Sequence, residues 1–340
     1  MATSHANPEG RSAGGVRSWL KLARPGDWTK NVFVLLAALF WLPNQLPITS
    51  ALERGEIADK LIATLLAFIA FCLAASGFYM VNDALDAESD RLHPVKRLRP
   101  VASRAIAPSS ALGVGVTSIA AGIGCGFAAS WGAGVCMVTY ACLQLFYNLK
   151  LKRVIFVDVT ALAVGFSLRA ACGAFAIGVQ VSPWLIACVF SLTLYLGFIK
   201  RLCDLTSARK AGATEWKSRA GYDNPFELNW LLGISGTLTV LMYLMYSLST
   251  HAQRIFGVRA LGFAMLTPLV LIVVHRFFRR ANEAMSDSPL SALLEDRSVS
   301  IAIGLFIIGV VATLYMPQVA VLLGDLFLVD VAPAATGAGR

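Results

Sequence analysis

The ten residues NDALDAESDR, positions 82 to 91, place four carboxylates directly behind an apolar run, LIATLLAFIAFCLAASGFYMV, that is long enough to cross a bilayer. If the helix of that run continues outward, Asp83, Asp86 and Asp90 are spaced i, i+3, i+7 and fall within about 60° of one another, with Glu88 on the other side. Three carboxylates on one face repel each other unless a cation lies between them. Oxygen-only ligands suit Mg2+, which keeps several waters and binds through substrate phosphates. The spacing points to a magnesium and diphosphate site with Asp83, Asp86 and Asp90 as metal ligands. The plain alternative is a solvated loop in which Asn82 and the acids end one helix and cap the next.

The continuation RLHPVKRLRP shifts the balance toward a site. Arg91, Lys96, Arg97 and Arg99 offer charge-assisted contacts to the phosphate oxygens that a metal leaves free. Basic residues alone would be a topology signal, but an acidic cluster adjoining them needs another reason. Two more polar loops look toward the same face. In YNLKLKRVIFVD (147 to 158), Tyr147 ends a span, Lys150, Lys152 and Arg153 follow, and Asp158 lies one turn into the next span. In FIKRLCDLTSARKAGATEWKSRAGYD (198 to 223), Lys200 and Arg201 end a span and Asp204 comes one turn later. The stretch from there to Tyr222 is long enough to cover a site as a lid.

Arg169 stands apart, inside a span, where a charge costs roughly 2.5 to 3.5 kcal/mol near the bilayer centre on an insertion scale. It must face a polar environment, either as an anion-attracting wall of a cavity or as a structural link to backbone carbonyls. Asp158, about three turns earlier on roughly the same face, is too far for a direct pair.

These residues need a membrane bundle to position them. Hydrophobic residues make up 57% of the 340-residue chain against 14% charged, and the mean hydropathy is +0.67, whereas a soluble domain carries roughly 25% charge. The expected fold is all-α and polytopic. Nine candidate spans can be counted, about 29 to 48, 60 to 81, 105 to 128, 130 to 148, 154 to 178, 183 to 199, 226 to 249, 256 to 275 and 299 to 324, each near the roughly 20 residues a crossing needs. Residues 1 to 28 read as a polar arm without a signal-peptide core, ending in an interfacial segment, RSWLKLARPGDW, whose Trp19 and Trp28 suit the headgroup zone. Residues 29 to 325 form one membrane domain, and 326 to 340 read as a disordered tail.

The net charge of +9 follows topology rather than nucleic acid. Of 29 Lys and Arg, 23 fall in the arm through Lys30, in 82 to 104, in 147 to 153, in 200 to 220 and in 276 to 297. These segments alternate with the others along the chain, so the positive-inside rule gives a cytoplasmic N-terminus, an external C-terminus and a site on the cytoplasmic side. The seven cysteines lie in or at the edges of apolar spans with no C-x-x-C, and the four histidines are scattered; neither a disulfide framework nor a zinc site is expected.

The stretches RPGDWTKNVFVL (24 to 35), NDALDAESDRLHPVKRLRP (82 to 100), YNLKLKRVIFVDVTALAVGFSLRAACGA (147 to 174) and KRLCDL (200 to 205) resemble the UbiA superfamily of intramembrane prenyltransferases, and within it the decaprenyl-phosphate phosphoribosyltransferase branch. The resemblance runs from about residue 17 to 325. It implies a helical bundle around a cavity open to the cytoplasm and laterally to lipid, a Mg2+ cofactor, and transfer of phosphoribosyl from 5-phosphoribosyl 1-diphosphate to a polyprenyl phosphate. The catalytic set it implies is Asp83, Asp86, Lys152, Lys200 and Arg201. The implied substrate contacts are Lys30, Asn82, Arg91, Lys96, Arg97, Arg99, Tyr147, Asp158, Arg169, Asp204 and Tyr222. One departure is that the branch pattern K-R-x-x-E reads here with Asp204, a shorter arm by one methylene. The loop after the sixth span is basic, which suits extra phosphate groups better than a second aspartate-rich motif would. The expected partners are the two substrates and the lipid bilayer of a bacterial cytoplasmic membrane, with a homo-oligomer left open and no nucleic acid. The competing readings are an aromatic prenyltransferase of quinone or haem biosynthesis and, in another class, a transporter of anionic lipid or phosphorylated solute. Against transport stands the clustering of charge at one face rather than through the bilayer.

Overall fold

The computed structural model describes residues 15–45, 48, 50–92, 95–210, 220–283 and 296–327, which contain helices and turns but no strand. The arm before residue 15, the middle of the expected lid (211–219) and the tail from 328 lie outside the described residues. The long helices are α3 (Ala51–Leu85), α5 (Pro108–Ala129), α6 (Trp131–Leu149), α7 (Val157–Ala176), α8 (Pro183–Lys210), α9 (Pro225–Leu248), α12 (Thr267–Glu283) and α13 (Arg297–Tyr315). Shorter ones are α1 (Val16–Ala23), α2 (Leu36–Trp41), α4 (Ala87–Arg91), α10 (Thr250–Phe256), α11 (Arg259–Met265) and α14 (Pro317–Phe327). With α11 and α12 taken as one run, eight helices among the described residues are long and apolar enough to cross a membrane.

The expected span at 29 to 48 is not one of the eight. It is realised as a 3-10 stretch over Pro25–Leu35, then α2, then a 3-10 turn over Leu42–Gln45. Eleven residues of 3-10 helix is long for that geometry, whose hydrogen bonds are poorer than those of an α-helix. Within it Asn31 is fully buried and bonded to Arg169 and Cys72 on other helices, and Pro25 stands at its first position. The segment crosses α7 at Gly173, where any Cβ would collide with the Val34 carbonyl.

The second span is longer than its apolar run suggests. Ser50 and Glu53 form a capping box that starts α3 at Ala51. At about 1.5 Å per residue, its 35 residues reach well beyond a hydrocarbon layer of roughly 30 Å. Packing between α3 and α5 is the most extensive in the bundle. It depends on Gly77 and Gly115, each of which lets the other's carbonyl approach where a Cβ would sit under 3.0 Å from it.

Consecutive long helices pack as neighbours and each runs antiparallel to the one before, as the meeting of Gly77 with Gly115 and of Ala70 with Gly122 shows for α3 and α5. The C-terminal ends of α3, α6, α8 and α12 therefore share one end of the bundle with the N-terminal ends of α5, α7, α9 and α13. Cross-links at that end confirm it: Lys210 donates to the Glu283 carbonyl, Asn282 donates to Asn229, and Arg276 pairs with Asp296. The seven cysteines are unpaired in the structure.

Candidate active site

The helix that should carry three carboxylates on one face stops among them. α3 ends at Leu85, and Asp86 (φ −87°, ψ 3°) caps it before the chain turns into α4. The Asn82 amide donates to Asp86 Oδ2 at 3.1 Å, which holds this carboxylate beside its own helix end. Asp90 is carried by α4 back toward Asp83 instead. The i, i+3, i+7 convergence is thereby corrected to a pair, Asp83 and Asp90, with Asp86 turned aside and Glu88 exposed to solvent. Among the described residues no group of three or more His, Cys, Asp or Glu is arranged to hold a metal.

Two arginines close this pair. Asp83, only 2% exposed, receives Arg24 Nη2 on both oxygens at 2.9 and 3.0 Å. Arg99 Nη1 lies 3.1 Å from Asp83 Oδ1 and 2.7 Å from Asp90 Oδ2, bridging the two carboxylates. Arg24 is positioned by α1, whose Trp19 and Leu22 pack on Met80, Ala87, Val101, Ile106 and Ala111. Its backbone is left-handed (φ 52°, ψ 58°) where α1 meets the 3-10 stretch, and its guanidinium lies 4.5 Å over the Tyr79 ring. The position of Arg99 Nη1 bears on the metal. It is a cation held between two buried, hard oxygen donors, which is the donor chemistry Mg2+ uses. The residues present fit a divalent cation held by Asp83 and Asp90.

A second cluster forms where α7 and α8 meet. Asp158 is fully buried; its Oδ2 accepts from Arg201 Nε and Nη2, both at 2.9 Å, and its Oδ1 accepts from the Tyr222 hydroxyl at 2.9 Å. Tyr222, also fully buried, in turn accepts from the Phe156 N–H at 2.7 Å. Burial pushes its phenol well above the ordinary tyrosine value, although the Phe156 N–H opposes the shift, so it remains a proton donor. Phe156 adopts φ 68°, ψ −44°, and the Val157 N–H reaches back to the Ile155 carbonyl at 2.8 Å, a γ-turn of the strained, positive-φ kind. This backbone cost, of order 1–3 kcal/mol, is tolerated where Tyr222 bonds Phe156 and where Phe198 stacks on its ring. Asp158 and Tyr222 were expected to touch substrate. Both are buried, and through Asp158 they orient Arg201, whose side chain is 19% exposed. Asp204 approaches the same arginine at 3.7 Å.

Arg169 settles between its two readings. Its Nε donates to Asn31 Oδ1 at 2.8 Å, Nη1 to the Gly165 carbonyl at 2.8 Å and Nη2 to the Tyr140 hydroxyl at 3.0 Å. The rings of Phe71, Tyr140 and Phe166 lie within 5.0 Å of it. All three nitrogens are engaged by protein groups, so Arg169 is an interior tie between α7, α6 and the 25–35 segment, not an anion-attracting wall.

The remaining expected residues are distributed along the same end. Arg91 donates to the Ala102 carbonyl at 3.2 Å and shapes its own loop. Lys96, Tyr147 and Lys152 are half-buried; Arg97 and Lys200 are exposed. Lys30 pairs with Asp27 and bonds Tyr79. Arg24 and Asn31 were not expected in these roles, although both lie in the quoted RPGDWTKN stretch; an arginine ending a helix and an amide opening an apolar run were the available signals. A cavity of about 290 Å3, lined by Ala37, Phe40, Trp41, Ala170, Ala174 and Tyr246 among others, begins one residue past Arg169 on α7 and lies away from both carboxylate clusters. Ala174 is sixteen residues past Asp158 on α7, about 24 Å along the helix.

The UbiA prenyltransferase family model matches residues 31–294, which include both carboxylate clusters. The decaprenyl-phosphate phosphoribosyltransferase of Corynebacterium glutamicum is 33% identical over 237 residues, 68% of each chain. The protein of the same name from Mycolicibacterium smegmatis is 28% identical over 315 residues, covering 88% of this chain and 95% of that one. Among solved structures, a UbiA homolog from Archaeoglobus fulgidus bound to GPP and Mg2+ superposes with a TM-score of 0.61 at 17% identity, covering 87% of this chain and 99% of that one, a likeness of fold. With its bundle, its apolar helices and the family match in agreement, this multi-pass membrane protein belongs to the UbiA prenyltransferase family.

Proposed function

We propose that the protein transfers 5-phosphoribosyl from 5-phosphoribosyl 1-diphosphate to a decaprenyl-type polyprenyl phosphate, releasing diphosphate, as a step toward a lipid-linked arabinose donor for cell-envelope glycans. The observation that carries this reading is the number of cations at the carboxylate end. Arg24, Arg99 and Arg201 are seated on buried acids, and Lys96, Arg97, Lys152 and Lys200 lie at the same end. A diphosphate, a ribose 5-phosphate and a lipid phosphate together call for that many. The names carried by the relatives from Corynebacterium and Mycolicibacterium support the same reading.

In the reaction the lipid phosphate oxygen bonds to ribose C1 as the C1–O bond to diphosphate breaks, and the electron pair leaves with the diphosphate. The nucleophile is already an anion at neutral pH, so no strong general base is required. Asp83 and Asp90 would hold Mg2+, with Asp86 steadied by Asn82 close by, and the ion would supply charge stabilisation to the leaving diphosphate. Arg201 is kept in one orientation by Asp158 and Tyr222 and offers a fixed fork to a phosphate. Lys152 beside Tyr147, and Lys200 next to Arg201, hold the two substrates for attack. The apolar tail leaves laterally into lipid. The orientation proposed is a bacterial cytoplasmic membrane with the carboxylate end and N-terminus in the cytoplasm and the C-terminus outside, the 25–45 segment crossing in its broken form.

The test is purified protein with Mg2+, labelled phosphoribosyl diphosphate and polyprenyl phosphate, followed by lipid extraction. Label in the lipid phase that is lost in Asp83→Ala supports the proposal. An unlabelled lipid phase together with prenylation of 4-hydroxybenzoate from a prenyl diphosphate replaces it with aromatic prenyl transfer.

A further inference from the structure

The first cluster pairs its two carboxylates with two arginines. Asp83 and Asp90 bring two negative charges, and Arg24 and Arg99 bring two positive ones to the same oxygens. A divalent ion at those oxygens would stand beside two guanidiniums within hydrogen-bond distance of its own ligands, and like charges that close repel one another. The metal and the arginines therefore compete for Asp83 and Asp90.

The two arginines are also placed to leave. The carboxylates are 2% and 6% exposed at their side chains, but the arginines are 29% and 28% exposed. Neither arginine sits inside a helix. Arg24 is the left-handed residue joining α1 to the 25–35 stretch, and Arg99 follows the 3-10 turn Lys96–Leu98 in extended conformation. Lys21 Nζ donates to the Leu98 carbonyl at 3.3 Å, so the two connectors are tied together. Guanidinium forks bind phosphate oxygens bidentately as well as they bind carboxylates.

We infer that Arg24 and Arg99 are stand-in cations which hold the metal's place and transfer to the diphosphate of the substrate, so that metal and diphosphate load together and metal does not load first. The inference rests on the proposed metal and diphosphate site but not on which group is transferred. By reciprocity, whatever factor the diphosphate adds to metal affinity, the metal adds to diphosphate affinity. It also assigns Arg24 to the diphosphate in particular.

The probe is Mn2+ alone, titrated into the full-length protein in detergent and read by electron paramagnetic resonance, with no substrate present. Wild type is expected to bind weakly, and Arg99→Gln and Arg24→Gln each to bind about tenfold more tightly or better, within the 5- to 150-fold span of typical couplings. Arg99→Lys keeps a point charge against the carboxylates and is expected to stay weak. Asp83→Asn on top of Arg99→Gln removes the gain, which assigns it to this site. Arg24→Gln answers the question by itself if Arg99→Gln does not fold. Equal or weaker Mn2+ binding in the folded glutamine variants overturns the inference, as does tight substrate-free binding in wild type. Lipid labelling with unchanged Mn2+ affinity rejects the inference and leaves the proposed reaction standing. A tenfold gain without lipid labelling does the reverse.

Discussion

The two carboxylate clusters at one end of the bundle use the same residue types for different ends. In the first, buried Asp83 and Asp90 face arginines that stand on connectors and are more than a quarter exposed. In the second, Asp158 is fully buried, its partner Arg201 belongs to the long helix α8, and Tyr222 fills the remaining oxygen. An acid whose partners can be exchanged suits a ligand that comes and goes, whereas an acid satisfied from every side by fixed groups suits a support. Exposure of the cation, more than that of the acid, separates the two.

That distinction predicts unequal responses to neutralisation. Asp83→Ala removes the carboxylate that both arginines and the proposed metal share; lipid labelling is expected to fall by at least about 10²-fold, the scale of losing one transition-state charge contact. Stability should change less, because Arg24 and Arg99 can reach water. Asp158→Asn should show the opposite balance. Removing one partner of a buried ion pair costs about 3–5 kcal/mol, so the thermal midpoint should drop clearly, with the loss of labelling following the folded fraction and the orientation of Arg201. If Asp158→Asn abolishes labelling at unchanged stability, the second cluster is a substrate contact and the contrast fails. Tyr222→Phe is the milder version. It strands the Phe156 N–H and one Asp158 oxygen, for about 1–3 kcal/mol, and should raise KM for phosphoribosyl diphosphate more than it lowers kcat if Arg201 binds a phosphate in ground and transition states alike.

What the sequence disclosed follows from how local each feature is. The all-α bundle and the company of acids and bases at one end come from apolar run lengths and from charges in adjacent loops. The partners of those charges do not. Arg24 meets Asp83 across 59 residues and Arg169 meets Asn31 across 138, contacts that no helical spacing reveals. Spacing misled at Asp86 because ALDAESD is a competent helix sequence; capture of Asp90 by Arg99 decides the turn there, a tertiary contact overriding propensity. In the first span the 3-10 stretch carries Asn31 to Arg169, again a partner distant in sequence. Asp158 and Tyr222 were picked out as important, but whether they touch substrate or hold what touches it depends on burial, which one sequence does not display.

A third cluster at this end supplies the smallest effect and a control for the other two. Asp296 caps α13 by accepting from the Ser298 and Val299 N–H groups and pairs with Arg276 at 2.9 Å. Desolvation pushes its carboxyl up, but the Arg276 bond and the two backbone donors outweigh it and hold the group below the ordinary value of 3.8. A carboxyl depressed in the folded state binds its proton more readily when unfolded. Its contribution is thus complete above about pH 4 and is lost as pH falls through the lower, folded value. Asp296→Asn keeps a competent cap and loses only the charge, an expected difference of about 1 kcal/mol or less. Thermal unfolding of wild type and variant should differ by a constant amount from pH 7 to 5 and converge toward pH 3. Lipid labelling at pH 7 should stay within twofold of wild type, because this acid meets Arg276 and Arg280 of α12 and neither of the connectors that carry Arg24 and Arg99. A larger loss of labelling would extend the site to α12 and α13, and the division between exchangeable and fixed acids would then have to be drawn elsewhere.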